Sequence, residues 1–198
     1  NSSIFNTPAI NDNDTSHIYS DGYLLSVNKD GSKNLKVEIG GSENKNFQSS
    51  ILINDNNGNI YYTKDKLYTY DSGGRLKWTF DDDYEFYSQA ALDNDGNIYF
   101  AGYEEGKNSR LYKIVDKDYR GENVWNNKGN DLHGDKATAP AISKDNKLYI
   151  ADNNGYIYSF LTQGSYGEAI KIWEKKISNN SFNASPIIAE DGSIYIAD

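Results

Sequence analysis

The sequence predicts an all-β chain built from repeated four-stranded antiparallel units, and three observations carry that prediction. A short phrase recurs along the whole length, apolar residues alternate with period two between the recurrences, and Asn-Gly or Asp-Gly pairs punctuate the runs. The phrase is an acidic or amide-rich turn followed by an aliphatic residue, a tyrosine and a third, mostly apolar residue. It reads His17-Ile18-Tyr19-Ser20, Asn59-Ile60-Tyr61-Tyr62, Asn97-Ile98-Tyr99-Phe100, Lys147-Leu148-Tyr149-Ile150 and Ser193-Ile194-Tyr195-Ile196. Its aliphatic members are 42, 38, 50 and 46 residues apart.

Each unit predicts four strands in a fixed order. The first is a stretch of small residues: Thr7-Pro8-Ala9-Ile10, Ser49-Ser50-Ile51-Leu52, Gln89-Ala90-Ala91-Leu92, Ala139-Pro140-Ala141-Ile142 and Ser185-Pro186-Ile187-Ile188. The recurring phrase is the second. The third alternates: Leu24-Leu25-Ser26-Val27, Leu67-Tyr68-Thr69-Tyr70, Leu111-Tyr112-Lys113-Ile114 and Ile157-Tyr158-Ser159-Phe160. The fourth is built on Val37, Trp78, Trp125 or Trp173. No window keeps apolar residues at helical spacing, and pairs such as Asn57-Gly58, Asp95-Gly96, Asn154-Gly155 and Asp191-Gly192 suit the positive φ of tight hairpin turns.

A four-stranded meander of this period is a propeller blade, which buries both faces only by packing against its neighbours around an axis. The small first strands fit the crowded axis. Pro8, Pro140 and Pro186 fit a strand start, where one ladder donor is spared. Trp78, Trp125 and Trp173 fit the wide rim, with Val37 standing where the first blade would have its tryptophan. Residues 1–198 therefore read as one β-propeller segment with blades at 6–40, 47–80, 87–126 and 137–177 and a partial blade at 182–198. The expectation is about four full blades plus two strands of a fifth, as part of a larger ring that an oligomer or the remainder of the propeller completes.

Composition narrows the function classes. The formal net charge of −9 argues against a surface that neutralises phosphates, so nucleic acid is not an expected partner. Hydrophobic residues are only 37%, but 14% of the chain is aromatic with 17 tyrosines, which is enough burial potential for a folded domain. With no cysteine, disulfides, thiol nucleophiles and thiolate metal sites are excluded. No apolar run approaches the roughly 20 residues a membrane helix needs, and Asn1-Ser2-Ser3-Ile4-Phe5 has neither the basic nor the apolar part of a signal peptide.

The segments Ser185-Pro186-Ile187-Ile188-Ala189-Glu190-Asp191-Gly192-Ser193-Ile194-Tyr195-Ile196 and Leu67-Tyr68-Thr69-Tyr70-Asp71-Ser72-Gly73-Gly74-Arg75-Leu76-Lys77-Trp78 resemble the PQQ-like repeat of the quinoprotein-dehydrogenase-like propellers. The resemblance covers nearly the whole chain. It implies the propeller fold, in a ring of seven or eight blades, and leaves activity open, since the repeat serves quinone-dependent alcohol and glucose dehydrogenases as well as non-catalytic scaffolds. The dehydrogenase pattern implies a quinone stacked on an axial tryptophan, a Ca²⁺ held by oxygens and a catalytic Asp. Here all three tryptophans fall at rim positions and no Asp lies in the first-strand motifs, so PQQ is disfavoured and no catalytic residue is assigned.

Calcium is the metal whose ligands the turns could supply, through Asp93-Asn94-Asp95-Gly96-Asn97 and Asn54-Asp55-Asn56-Asn57-Gly58-Asn59. The spacing departs from an EF-hand: Gly96 is the fourth residue from Asp93, and Glu104, the twelfth, is carried away by the strand at Ile98 to Phe100. Hairpin turns whose Asp and Asn bond their own backbone account for the same residues, and no metal ligand is assigned.

Topology ranks the loops. Connections between strands two and three and between blades share one face, and there lie residues 81–87, 103–108 and 126–136. Tyr84, Glu85, Tyr87, Tyr103, Glu104, Asp131, His133 and Asp135 are the candidate binding residues, an acidic and aromatic set suited to a basic peptide, a sugar or a cation. His17, beside a turn, is expected at the surface. The function this implies is a non-catalytic scaffold for protein or glycan binding in an exported or cell-surface bacterial protein. The alternatives are part of a quinone- and calcium-dependent oxidoreductase, or a carbohydrate-binding module stacking sugars on Tyr84, Tyr87 and Tyr103.

Overall fold

The structure is a computed structural model that describes residues 8–12, 14–20, 22–39, 51–54, 56–86, 88–125, 130–163 and 167–198. The described residues form four antiparallel four-stranded sheets and one two-stranded sheet, each in simple sequential order. Blade one comprises β1 (Ala9–Ile10), β2 (Ser16–Ser20), β3 (Tyr23–Val27) and β4 (Lys33–Glu38). Blade two comprises β5 (Ile51–Asn54), β6 (Asn59–Thr63), β7 (Leu67–Tyr70) and β8 (Leu76–Phe80). Blade three comprises β9 (Ala91–Leu92), β10 (Ile98–Gly102), β11 (Arg110–Asp116) and β12 (Gly121–Asn123). Blade four comprises β13 (Ala141–Ile142), β14 (Lys147–Ala151), β15 (Tyr156–Leu161) and β16 (Ile170–Lys176), and the last sheet is β17 (Ile187–Ile188) with β18 (Ile194–Tyr195).

The first strands stand side by side in the order β1, β5, β9, β13, β17, which makes the sheets blades of a β-propeller. Among the described residues β17 does not meet β1, so the arc is open. The apolar residues partition into one cluster per seam between blades. Trp78, Tyr61 and Leu67 of blade two meet Ile98, Phe100, Tyr112 and Ile114 of blade three. Tyr99, Ala101, Leu111 and Trp125 of blade three meet Leu148, Ile150, Tyr158 and Phe160 of blade four.

Strand β10 shows why the sequence reads as it does. All five of its residues are buried, Ile98 and Phe100 in the seam toward blade two and Tyr99 and Ala101 in the seam toward blade four. Alternation sends successive side chains to opposite faces. Here both faces are core, each large side chain contributing about 1.5–3 kcal/mol by burial.

Register corrects two sequence expectations for blade one. His17 stands opposite Ala9 and Ser26, as Tyr61 stands opposite Leu52 and Thr69 and Tyr149 opposite Ala141 and Ser159. The tyrosine position of the repeat is therefore held by His17, and Tyr19 lies two residues further along. Likewise Leu35, not Val37, occupies the rim-tryptophan position. Leu35 pairs with Ser26 next to a bulge at Ser26/Val27, just as Trp78 pairs with Thr69 next to a bulge at Thr69/Tyr70 and Trp173 with Ser159 next to one at Ser159/Phe160. His17 is also not at the surface: it is 5% exposed, facing the seam toward blade two.

Close approach at the rim uses glycine. A Cβ on Gly121 of β12 would sit 2.6 Å from Trp78 Cζ3, so the indole of one blade lies directly on the backbone of the next. Gly74, with φ +78°, brings the β7–β8 turn against Val37 and Leu35, whose methyls a Cβ would meet at 2.5 and 3.0 Å.

A candidate binding face

Three connections on one face of the arc are joined into a ledge by backbone hydrogen bonds. Glu85 and Tyr103 exchange both N–H···O bonds at 2.8 Å, which ties the β8–β9 connection to the β10–β11 loop. Leu111 N donates to Asn130 O, Leu132 N to Ser109 O and Ser109 N to Gly134 O, so residues 130–134 add an extra strand-like edge to β11. Ala137 bridges to Asp152, and Asn153 N donates to Lys136 O, carrying the ledge on to blade four. The acidic and aromatic loops are thus brought together.

The ledge uses the candidate residues in different ways. Tyr84 is only 6% exposed: its Cβ fits above the bare Cα of Gly102, its ring packs edge-on against Tyr112, and Arg110 covers it at 4.8 Å from the centroid. It is a buried wedge with no free ring face. Glu85 is exposed, while Tyr103 is half-buried with the Lys136 ammonium 5.8 Å from its ring centre. Tyr87 lies outside the described residues. Glu104 is held by Lys107 at 2.6 Å and Asp131 by Arg110 at 3.1 Å. Asp135 accepts from Asn153 Nδ2 at 2.5 Å.

His133 is exposed, its ring 4.3 Å from that of Tyr156 and its Nε2 3.1 Å from Glu174 Oε1. The ammonium of Lys171, hydrogen-bonded at 2.7 Å, and then His133 hold the Glu174 carboxyl below its ordinary range. Beneath them the Tyr158 hydroxyl accepts from His133 N and donates to the fully buried Asp152, whose other oxygen takes the Asn154 and Tyr156 amides. Burial, with Asp152 beside it, pushes the Tyr158 phenol up, so it remains protonated and donating. Arg110, Tyr156, Glu174 and Lys136 belong to this face and carry no sequence signal, because blade register alone brings residue 174 beside residue 133.

Of the two turns with calcium-type oxygens, that at residues 93–97 uses its Asp93 oxygens internally, and Asp55 of the other lies outside the described residues. Asp93 Oδ1 accepts the Asp95 and Asn97 amides, and Oδ2 accepts Asn97 Nδ2 and the Tyr99 hydroxyl at 2.8 Å each. Among the described residues no group of three or more His, Asp or Glu is placed to hold a metal ion.

The rim tryptophans tie blades together. Trp78 Nε1 donates to Asp116 Oδ1 at 3.0 Å, while the Tyr61 hydroxyl and Asn59 Nδ2 donate to Oδ2 at 2.8 and 2.7 Å, so one carboxylate of blade three collects three donors from blade two. Burial pushes the Tyr61 phenol up to about 12. In the next seam Trp125, two residues beyond the end of β12, is 1% exposed. There the Lys113 ammonium, its pKa lowered by burial, donates to Thr162 O at 2.6 Å and lies 5.6 and 5.8 Å from the Tyr99 and Trp125 rings. Trp173 is only half-buried.

No protein-family model matches the sequence, and no curated protein is significantly similar to it. Solved structures do share the fold. BamB from Moraxella catarrhalis superposes with a TM-score of 0.65 at 13% identity, over 100% of this chain and 60% of that one. The β-propeller domain of Cps50 (Swd1) from Myceliophteria thermophila gives 0.65 at 14% identity, over 99% and 65%. A protein of unknown function from Bacteroides caccae gives 0.58 at 11% identity, over 92% and 66%. The chain thus spans less than two thirds of the length of each, and the likeness is one of fold.

Proposed function

We propose that this propeller segment is a non-catalytic scaffold of the PQQ-like kind, part of a seven- or eight-bladed ring, which binds a protein partner through its ledge in the cell envelope of a bacterium. The observation that carries this reading is the ledge itself. Its side chains are held in place by internal pairs, Glu104 with Lys107 and Asp131 with Arg110, and the resulting rigid rim presents exposed Glu85 and His133 beside half-buried Tyr103 and Tyr156. Rigid aromatic and charged groups on loops fixed to a scaffold are what protein interfaces select. The BamB-like fold supports the envelope location. A sugar-stacking role on Tyr84 has no support in its burial, and the seam positions of Trp78 and Trp125 favour neither as the platform for a quinone.

The test is peptide-display selection on the wild-type chain with counter-selection on Tyr103→Ala and His133→Ala chains of unchanged thermal midpoint. Enrichment of peptides that need both residues supports the scaffold reading. A glycan array giving Tyr103-dependent binding replaces it with carbohydrate recognition, and saturable stabilisation by PQQ together with Ca²⁺ sinks it.

A further inference from the structure

The chain contains two Asn-Gly pairs, Asn57-Gly58 in the β5–β6 turn and Asn154-Gly155 in the β14–β15 turn, and the fold holds them in opposite states. Such a pair carries latent chemistry: the glycine nitrogen can attack the asparagine Cγ, since no Cβ on the glycine keeps the two apart. The surroundings decide whether that approach is open.

At Asn57 it is open. The residue is exposed, and its Oδ1 accepts the Asn59 amide at 2.9 Å. That bond folds the carboxamide back over its own main chain, with Cγ above the Gly58 nitrogen. The same N–H draws charge from the carbonyl to be attacked, as a donor does for a developing oxyanion. Gly58 itself, with φ +68°, has room: the nearest atom to a Cβ placed there is Ser72 Cβ at 3.5 Å.

At Asn154 it is closed. Nδ2 donates to His133 O at 2.8 Å, which ties the carboxamide to the ledge. Gly155 N donates to Asp152 O at 3.3 Å, Gly155 O takes the Ile177 and Ser178 amides, and the Ser178 main chain lies directly on the glycine. The Asp-Gly pairs are poorer substrates for another reason. In Asp30-Gly31 and Asp191-Gly192 the donors of Ser32 and Ser193 hold the carboxyls below the ordinary range, so they stay ionised and resist attack.

The turn at Asn57 also borders the polar contacts of the seam between blades two and three. Asn59 Nδ2 and the Tyr61 hydroxyl both donate to Asp116 Oδ2. Burial pushes the Tyr61 phenol up, and the Asn57 carboxamide beside it pulls the other way. A carboxylate in place of that amide reverses the pull and stands near the Asp116 charge.

We propose that Asn57 is a self-modification site whose conversion to aspartate and isoaspartate loosens the seam between blades two and three. In the first step Gly58 N bonds to Asn57 Cγ, the Cγ–Nδ2 bond breaks, and Nδ2 leaves as ammonia with the proton that Gly58 N gives up. The product is a five-membered succinimide. Water then opens one or other of its carbonyls, which yields aspartate or isoaspartate and one added negative charge. The site lies on the face opposite the ledge and stands apart from the ledge and its partner.

The test holds the folded chain at pH 8 and 37 °C, beside the same chain in urea, and follows both Asn-Gly pairs by peptide mass mapping. In urea the two pairs are expected to convert at similar rates. In the folded chain Asn57 is expected to convert about tenfold faster than Asn154, because only its reacting atoms are held close. Isoaspartate at position 57 is read by methyl transfer from labelled S-adenosylmethionine with an isoaspartyl methyltransferase. Asn57→Gln, whose side chain is one carbon too long for the five-membered ring, is expected to abolish the modification and keep the thermal midpoint close to that of wild type. Asn57→Asp supplies the charge without ageing, and is expected to lower the midpoint more in the wild-type background than in Tyr61→Phe. Equal rates at the two pairs in the folded chain, or a faster rate at Asn154, overturn the assignment of the site. An aged chain and an Asn57→Asp chain that both keep the wild-type midpoint overturn the link to the seam.

Discussion

The indole of Trp78 in blade two donates its Nε1 hydrogen to Asp116 Oδ1 in blade three across 3.0 Å, and the same carboxylate takes the Tyr61 hydroxyl. One acidic side chain therefore serves as the clasp of a whole seam. Replacing Asp116 with Ala leaves those donors without an acceptor in a largely buried place, at about 1–3 kcal/mol for each unsatisfied group. The Asp116→Ala chain is expected to lose on the order of 3 kcal/mol in urea denaturation, and Asp116→Asn distinctly less, since the amide oxygen keeps one acceptor. Equal midpoints for wild type and Asp116→Ala would show that the clasp carries no weight.

Gly121 tests the same seam from the backbone side. A Cβ there meets Trp78 Cζ3 at 2.6 Å and Ile114 Cγ2 at 2.9 Å, so Gly121→Ala has to push the indole off its floor. The expected cost is about 1–3 kcal/mol, the range for overpacking a filled core. Combining it with Trp78→Phe should recover part of the loss, and purely additive midpoints would contradict the contact.

The acid response should come from His17. Both of its ring nitrogens are buried without a hydrogen-bond partner, and burial lowers its pKa below the ordinary 6.5. The unfolded chain thus takes up a proton near pH 6.5 that the folded chain refuses. Stability is full above that pH and falls as the pH drops toward the folded-state value, by at most about 1.4 kcal/mol per pH unit from this group. Comparing thermal midpoints at pH 7.5 and 5.5 for wild type and His17→Phe checks this: the variant should lose part of the acid sensitivity, and identical slopes would remove His17 as its source.

Thr69 offers a stabilising substitution. Its hydroxyl is buried with no hydrogen-bond partner at the centre of blade two, and Ser26 and Ser159 repeat that state at the same strand-three position. Replacing a buried, unsatisfied hydroxyl by a methyl of the same shape removes a desolvation cost. Thr69→Val is expected to raise stability by about 1 kcal/mol in urea denaturation. A loss of similar size would mean that the hydroxyl is satisfied by water.

Most of the strand plan was legible because each blade writes period-two alternation between recognisable turns, and because tyrosine and tryptophan recur at fixed places in blades two to four. Blade one escaped for a physical reason. A slip of one residue flips every side chain to the other face, but a slip of two returns each to the same face. Matching Tyr19 to Tyr61, or Val37 to Trp78, therefore leaves the alternation intact, and only the pairing of His17 with Ala9 and of Leu35 with Ser26 reveals the true register. The ledge was legible as a cluster of loops, since topology fixes which connections share a face. Its internal matching was not, because the partners of His133 and Asp131 come from strands whose offset no local pattern records.

The seams differ in strength along the arc. That between blades two and three holds a tryptophan, a tyrosine and a carboxylate; that between blades one and two has Leu35 and an unpaired imidazole at the corresponding places. Blades that meet only at their seams open seam by seam, and the loosest seam opens at the lowest cost. Amide exchange is expected to release β2 and β3 before β10, which makes the described blades behave less like a single cooperative body than like links of unequal strength.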